Sequence, residues 1–348
     1  MVEGLSVVVS NENKELTAAG LFAGIGGLCH GLELAGFKNL WATDFDEEVA
    51  TTYRHNYPQS DFIHADINEL DFDSAPAVDV LHGGFPCQSF SQAGNRKGFD
   101  DPRGQLFVTM MNKIAAMKNK PKVLLFENSP NIKNGENGAW FSHIVFSIRK
   151  AGYRFSAANC FELDAREHAG SPQSRVRLFM IAFRKDLGPF NPFLDLSFKA
   201  PSKPLETLLQ RGEVRDPYYY LNPENKYSRM IKSQANAADD SRIFQLRKTV
   251  VRVQNAGVCP TLTANMGAGG HNVPFIFDHG EVRKLTEREC LRLQSFPEEF
   301  AFPDSIKKTS RYRMIGNAVN AGISQGIGNY LQNKLREALN EPIMEIPA

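Results

Sequence analysis

The chain predicts an α/β fold: a doubly wound, mostly parallel sheet with a second, smaller domain of irregular and β structure. Three observations lead there. Between Leu16 and roughly Arg184, short apolar segments alternate with longer amphipathic ones, the rhythm of strand–helix units in a parallel sheet. After Phe190 that rhythm stops, and Pro189, Pro192, Pro201, Pro204, Pro217 and Pro223 break up the chain. The closing segment returns to helix, with Val319, Ile323, Ile327, Leu331, Leu335 and Leu339 recurring on one face.

Residues 1–14 are polar and aperiodic and read as a loose lead-in. Strands are predicted at 17–22, 40–43, 78–81, 123–126 and 178–183. Each is a short apolar run bounded by turn residues. Helices are predicted at 28–35, at 105–117 through Leu106, Met110, Ile114 and Met117, and at 139–151, which Gly152 closes. Gly and polar residues dominate 255–272. The division expected is a main domain of 15–190 plus 304–348 and a second domain of 191–303. No internal repeat or low-complexity tract appears.

With 348 residues, 42% hydrophobic and 23% charged, the chain can bury a large core. No apolar run approaches the ~18 residues of a membrane span, and the polar start lacks a secretory signal. Cys29, Cys87, Cys160, Cys259 and Cys290 are odd in number and form no C-x-x-C pair. That fits neither a disulfide framework nor a zinc site, so no metal is expected and a reducing compartment is. Net charge is only +1, but residues 201–348 carry 20 Lys and Arg against 16 Asp and Glu. Arg242, Arg247, Lys248 and Arg252 sit together there without an intervening acid, as do Lys307, Lys308, Arg311 and Arg313. Such runs are either solvated faces or contacts to phosphate.

The chemistry-bearing residues follow strand ends. Phe22-Ala23-Gly24-Ile25-Gly26-Gly27 links the first strand to a helix. Its glycines would let backbone approach a ligand at the positive end of the helix dipole. Asp44-Phe45 ends the next strand about twenty residues on, where nucleotide-binding sheets place an acid for ribose hydroxyls. Phe45 could stack on a purine, and Asp66-Ile67 could receive an adenine amino group. The loop reads G-x-G-G rather than G-x-G-x-x-G, which argues for an adenosine ligand without a pyrophosphate. Gly83-Gly84-Phe85-Pro86-Cys87-Gln88 sets a thiol at a strand-to-loop turn. That position suits a nucleophile, although a free cysteine is as often an inert core residue. Glu127-Asn128 directly follows the strand at 123–126. Glu127 could cap the surface or act as a general acid facing Cys87. Arg175 and Arg177 alternate before the strand at 178–183, where they could pair with acids or face a carbonyl-bearing substrate.

In this order, and joined by Arg288-Glu289-Cys290, Gln294, Phe296-Pro297 and Gly316-Asn317-Ala318-Val319, the motifs resemble the C5-cytosine DNA methyltransferases of bacterial restriction-modification systems. The family uses S-adenosylmethionine. The resemblance runs along nearly the whole chain and implies a Rossmann-like methyltransferase fold. The segment from about 190 to 283 falls where the family carries its variable target recognition region, so 191–303 is expected to be a target recognition domain. Four positions depart from the common pattern. Gly20 stands where many members have Asp, Asp44 where Glu is commoner, Phe45 where Trp is frequent, and Ser129 where Val is usual. None removes a catalytic group.

The resemblance implies Cys87 as the nucleophile that adds to C6 of cytosine, making C5 reactive toward a methyl sulfonium. Glu127 would serve N3 if burial raises its pKa. Asn128 would hold the Pro86-Cys87 backbone, Arg177 would contact O2 of the base, and Arg175 would support the site. Cofactor contacts are expected from Phe22, Gly24, Ile25, Gly27, Asp44, Phe45, Asp66, Ile67, Pro86, Leu106, Asn317 and Ala318. Because a stacked base is out of reach, the target must be flipped, and residues 89–103 read as a lid. Nucleic-acid contacts are expected from Arg242, Arg247, Lys248, Arg252, Thr261 and Thr263. The partner expected is double-stranded DNA, met by a monomer in a prokaryotic cytoplasm, with any cognate restriction endonuclease acting separately. The alternatives are a tRNA cytosine methyltransferase, a catalytically silent DNA-binding relative and, more distantly, a nicotinamide oxidoreductase.

Overall fold

The computed structural model describes residues 15–86, 102–187, 196–234, 242–247, 250–267 and 272–339, and side chains of the 102–103 pair are excepted. Cys87, Lys248, the lead-in 1–14 and residues 89–101 of the expected lid lie outside the described residues. The first sheet is formed by β1 (Thr17–Leu21), β2 (Lys38–Asp44), β3 (Asp61–His64), β4 (Val80–Gly83), β5 (Val123–Asn128), β6 (Tyr153–Arg154), β7 (Cys160–Asp164) and β8 (Val176–Arg184). Its order is β3-β2-β1-β4-β5-β8-β6, with β7 also paired to β8. Pairings among β1 to β5 are parallel, and β8 is antiparallel to β5, β6 and β7. The mostly parallel, doubly wound sheet expected from the alternation is therefore present, with an antiparallel flank.

Side chains alternate across this sheet, and each face buries its own set. Ala18, Val80, Val123, Leu125, Phe179 and Ile181 face α1 (Gly27–Leu34) and the closing helix; Ala19, Leu21, Leu81, Leu124, Phe126 and Met180 face the opposite layer. That layer holds α3 (Pro102–Ala116) and α4 (Ala139–Lys150), which bury Phe107, Met110, Ile114, Ile144 and Ile148. Two shorter helices were not anticipated: α2 (Glu47–Asn56), started by the Asp46 side chain accepting from Glu48 and Val49 N–H groups, and α5 (Ala165–His168). Strand β4 begins two residues later than expected. The Asp79 carboxylate accepts from Thr17 N–H at 2.8 Å and from its hydroxyl at 3.0 Å, and pairs with Lys122, which fixes the strand's start instead.

A smaller antiparallel sheet of order β10-β9-β11-β12 comprises β9 (Phe244–Arg247), β10 (Val250–Val253), β11 (Pro274–Asp278) and β12 (Glu281–Lys284). With α6 (Lys226–Gln234) it encloses Ile231, Phe244, Leu246, Val251, Phe275 and Val282. Helix returns earlier than the rhythm suggested. α7 (Glu287–Leu293) carries a Thr286/Glu289 capping box, and α8 (Lys308–Asn317) and α9 (Ala321–Leu339) follow. Ile323, Ile327, Leu331 and Leu335 are the buried stripe of α9 predicted from their spacing. Among the described residues no helix is long and apolar enough to cross a membrane.

Candidate active site

Phe22 follows β1, Asp44 ends β2, Gly84 follows β4 and Glu127-Asn128 close β5, all at the carboxyl ends of parallel strands, where ligands of such sheets bind. The β1–α1 turn uses three left-handed residues, Phe22 at φ 51°, Gly24 at 55° and Gly26 at 86°. Glycine adopts this conformation without cost. Phe22 does so only because its surroundings hold it, a form of strain that collects at ligand sites. A side chain on Gly24 would meet nothing within 4 Å, so the turn has open space in front of it, whereas one on Gly27 would overlap the Val319 carbonyl oxygen. The β1–α1 turn is thus pressed against Val319.

Asp44 faces the same turn. Its Oδ2 accepts from Gly24 N–H at 3.0 Å and its Oδ1 from Asp46 N–H at 3.2 Å. Burial pushes its carboxyl above the ordinary range, and the two amide donors only partly offset that. Beside it the Phe45 ring is 68% exposed, an apolar surface that a stacked purine would cover. Asp66 is exposed and accepts from Asn68 N–H at 2.8 Å, while Ile67 is buried in the core beneath. Ile25 is also buried, Leu106 is partly buried on α3, Asn317 is exposed at the end of α8, and Ala318 is buried. Of these groups Phe45, Asp66 and Asn317 reach the surface, while Ile25, Ile67 and Ala318 lie in the core.

Glu127, the penultimate residue of β5, stands over Gly84, where an added Cβ would come within 3.1 Å of Oε2. Its Oε1 lies 3.1 Å from Arg177 Nε. Burial nevertheless pushes the Glu127 carboxyl up, against the opposing pull of Arg177 and Arg175. The raised pKa that an acid at this position requires is present. The Asn128 amide donates to the Phe85 carbonyl at 3.1 Å, one residue before Pro86. The Phe85 ring packs on Phe107 and Phe126 with centroids 4.8 and 6.2 Å apart, so the backbone leading into Cys87 is held from below.

The two arginines part company. Arg177 is half-buried beside Glu127, while Arg175 is only 2% exposed and its guanidinium is committed to backbone. It donates to the carbonyls of Leu262 at 2.7 Å, Gly316 at 3.0 Å and Ala318 at 2.9 Å. Arg175 therefore ties the segment around Leu262 to the cofactor-side turn. Gln173, two residues before Arg175, and Gln294 form a buried amide pair. Gln173 Nε2 donates to Gln294 Oε1 at 3.1 Å, and Gln294 Nε2 donates to the carbonyls of Ile315 at 2.9 Å and Ala318 at 3.1 Å.

Cross-strand pairing puts Arg247 and Arg252 on one exposed face of the β9–β10 hairpin with Val250. Arg242 is partly buried and donates to Gln254 O at 3.3 Å. The Thr261 hydroxyl donates to Ser174 O at 2.6 Å, and that of Thr263 to Asn265 Oδ1 at 2.7 Å. The second basic run is internally engaged rather than presented. Lys308 pairs with Asp216, Arg311 donates to the Ile306 carbonyl at 2.8 Å, and Arg313 holds Asp46 and Glu48 at 2.6 and 2.9 Å. Neither reading offered for this run, solvated face or phosphate contact, foresaw the partners of Lys308 and Arg313, which lie 92 and 265 to 267 residues away.

The sequence pattern of the C-5 cytosine-specific DNA methylases matches residues 16–333. The chain is 37% identical over 311 residues to the type II methyltransferase M.Bsp6I of Bacillus sp. (strain RFL6), covering 87% of this chain and 94% of that one. It is 30% identical over 343 residues to M.Eco47II of Escherichia coli, covering 91% and 78%. Among solved structures, S. pombe Dnmt2 methyltransferase superposes with a TM-score of 0.68 at 23% identity, over 94% of this chain and all of that chain (100%), a likeness of fold. The chain belongs to the C-5 cytosine-specific DNA methylases. It is a DNA cytosine-5 methyltransferase that takes its methyl group from S-adenosylmethionine.

Proposed function

We propose that the enzyme methylates one cytosine of a specific duplex sequence through a covalent adduct on Cys87. The observation that carries this reading is Glu127. It is a carboxyl whose pKa burial raises, set over Gly84 three residues before Cys87. S-adenosylmethionine supplies an electrophilic methyl group, and the rest of the chemistry belongs to the chain. The Cys87 thiolate adds to C6 while Glu127 gives a proton or strong hydrogen bond to N3, where charge accumulates. C5 then carries the electron density to take the methyl group. Loss of the C5 proton to solvent, return of the N3 proton to Glu127 and departure of the thiolate restore the aromatic ring. Arg177 contacts O2 of the base, Asn128 holds the Phe85 carbonyl just ahead of Pro86, and Arg175 positions the turn at 316–318.

Phe22, Gly24, Ile25, Gly27, Asp44, Phe45, Asp66, Ile67, Pro86, Leu106, Asn317 and Ala318 make the cofactor cleft in this reading. Asp44 binds ribose, for each of its oxygens keeps a lone pair beyond the amide it accepts from. Residues 191–303 act as the target recognition domain, with Arg247 and Arg252 among its phosphate contacts and Thr261 and Thr263 at its junction with the catalytic part. The enzyme works as a monomer, and a cognate endonuclease, where there is one, acts separately. Labelled methyl incorporation compared between duplex DNA and tRNA, followed by bisulfite sequencing of the DNA, tests this. Retained cytosine at one short sequence is expected; label entering tRNA alone overturns it.

A further inference from the structure

We propose that Arg313 is a positioning residue for cofactor binding, tying the turn that carries Asp44 to the helix that delivers Asn317. This rests on the reading of Asp44 and Phe45 as adenosine contacts. Arg313 lies on α8, one turn before its end at Asn317. Its guanidinium forks onto two carboxylates of the β2–α2 turn, Nη1 at 2.6 Å from Asp46 Oδ2 and Nη2 at 2.9 Å from Glu48 Oε2. Asp46 is firmly placed, since its other oxygen accepts from Glu48 N–H at 3.0 Å and Val49 N–H at 3.2 Å as the cap of α2. Its own N–H donates to Asp44 Oδ1, and Asp44 Oδ2 accepts from Gly24 N–H. A continuous chain of charged and amide contacts thus runs from the Gly24 turn through Asp44 and Asp46 to Arg313.

The far side of the cleft is held differently. Arg175 and Gln294 grip the carbonyls of Ile315, Gly316 and Ala318 from within the core. Arg313 sets how far that gripped turn stands from the ribose-side acid. The forked geometry matters: a guanidinium can satisfy two carboxylates at once, which an isolated surface pair does not achieve. Burial acts to raise the Asp46 carboxyl, and the Arg313 hydrogen bond with the helix amides outweighs it, so the carboxyl lies below its ordinary range and the pair stays charged.

Arg313→Gln should raise the calorimetric Kd for S-adenosylmethionine about threefold or more, the scale of one well-formed surface ion network. Asp46→Asn, which keeps a good helix cap, should weaken binding comparably, and the double variant should be no worse than the poorer single one. The KM for cofactor should rise with kcat at saturation nearly unchanged, and Arg313→Lys should recover part of the affinity. Additive losses, or unchanged affinity in Arg313→Gln while Asp44→Ala weakens binding, would overturn the tether and leave the cofactor cleft standing. Unchanged affinity in Asp44→Ala as well would overturn the reading of the cleft.

Discussion

Glu127 and Arg177 sit 3.1 Å apart, yet the carboxyl is held above its ordinary range because burial outweighs the neighbouring charge. A carboxyl with a raised folded pKa keeps its proton where the unfolded chain has released it. Its favourable contribution therefore declines as pH rises from the ordinary 4.5 toward the folded value. Glu127→Gln, neutral throughout, should gain melting temperature relative to the wild type as pH is taken from about 4.5 to 8. The same variant should lose roughly 10²–10⁴-fold in kcat while still binding DNA, since an amide cannot supply the proton. A loss under about tenfold would leave Glu127 with a structural role only. Glu127 was legible as a candidate because it closes an apolar run, and the structure places it inside β5, one residue before the strand's end. The partner of its motif neighbour Arg175 was not legible, because the carbonyls it binds are 87 to 143 residues away.

At the scale of elements, α1 packs on α9 closely enough that small residues are required at the contact. Gly31 would collide with Ser324 if it carried a side chain, and Gly27 with the Val319 carbonyl. Gly27 opens α1 and Val319 follows the α8 end, so the contact lies beside the residues proposed to bind the cofactor. Gly27→Ala should cost about 1–3 kcal/mol of stability, the usual range for overpacking, and weaken cofactor binding in the same protein. Thermal melts with calorimetry check both; an unchanged melting temperature would mean the two segments separate easily. The long strands and α9 were legible because their apolar periods extend over many residues. α2, α5 and α7 were not, for they are 10, 4 and 7 residues long and take their definition from capping side chains and long-range packing. The Thr286-x-x-Glu289 capping box was the available signal for α7, within a segment that composition alone marked as irregular.

Across the whole molecule, the catalytic sheet and the smaller antiparallel sheet are joined by buried polar contacts. Arg283 is wholly buried, with Nε 2.6 Å from Asp278 and both terminal nitrogens 2.8 Å from Glu289. This knot fastens the β11–β12 hairpin, against which the strand ending in Arg247 pairs, to α7. Replacing either arginine by alanine should weaken DNA binding across sequences and reduce the slope of log affinity against log salt by about 1. An unchanged slope would remove that face from the interface. Composition announced the change of architecture after 190 but not the order of the four strands, which depends on pairings between segments up to about thirty residues apart.

The most direct test of the chemistry uses the intact enzyme with S-adenosylmethionine and duplex DNA carrying 5-fluorocytosine at the modified position. Fluorine cannot leave as the C5 proton does, so the thiolate cannot depart. The account predicts a denaturation-resistant protein–DNA adduct whose peptide map places the bond on Cys87, absent in Cys87→Ser although that variant still binds cofactor. Methyl transfer without any adduct, or an adduct on another residue, would contradict it.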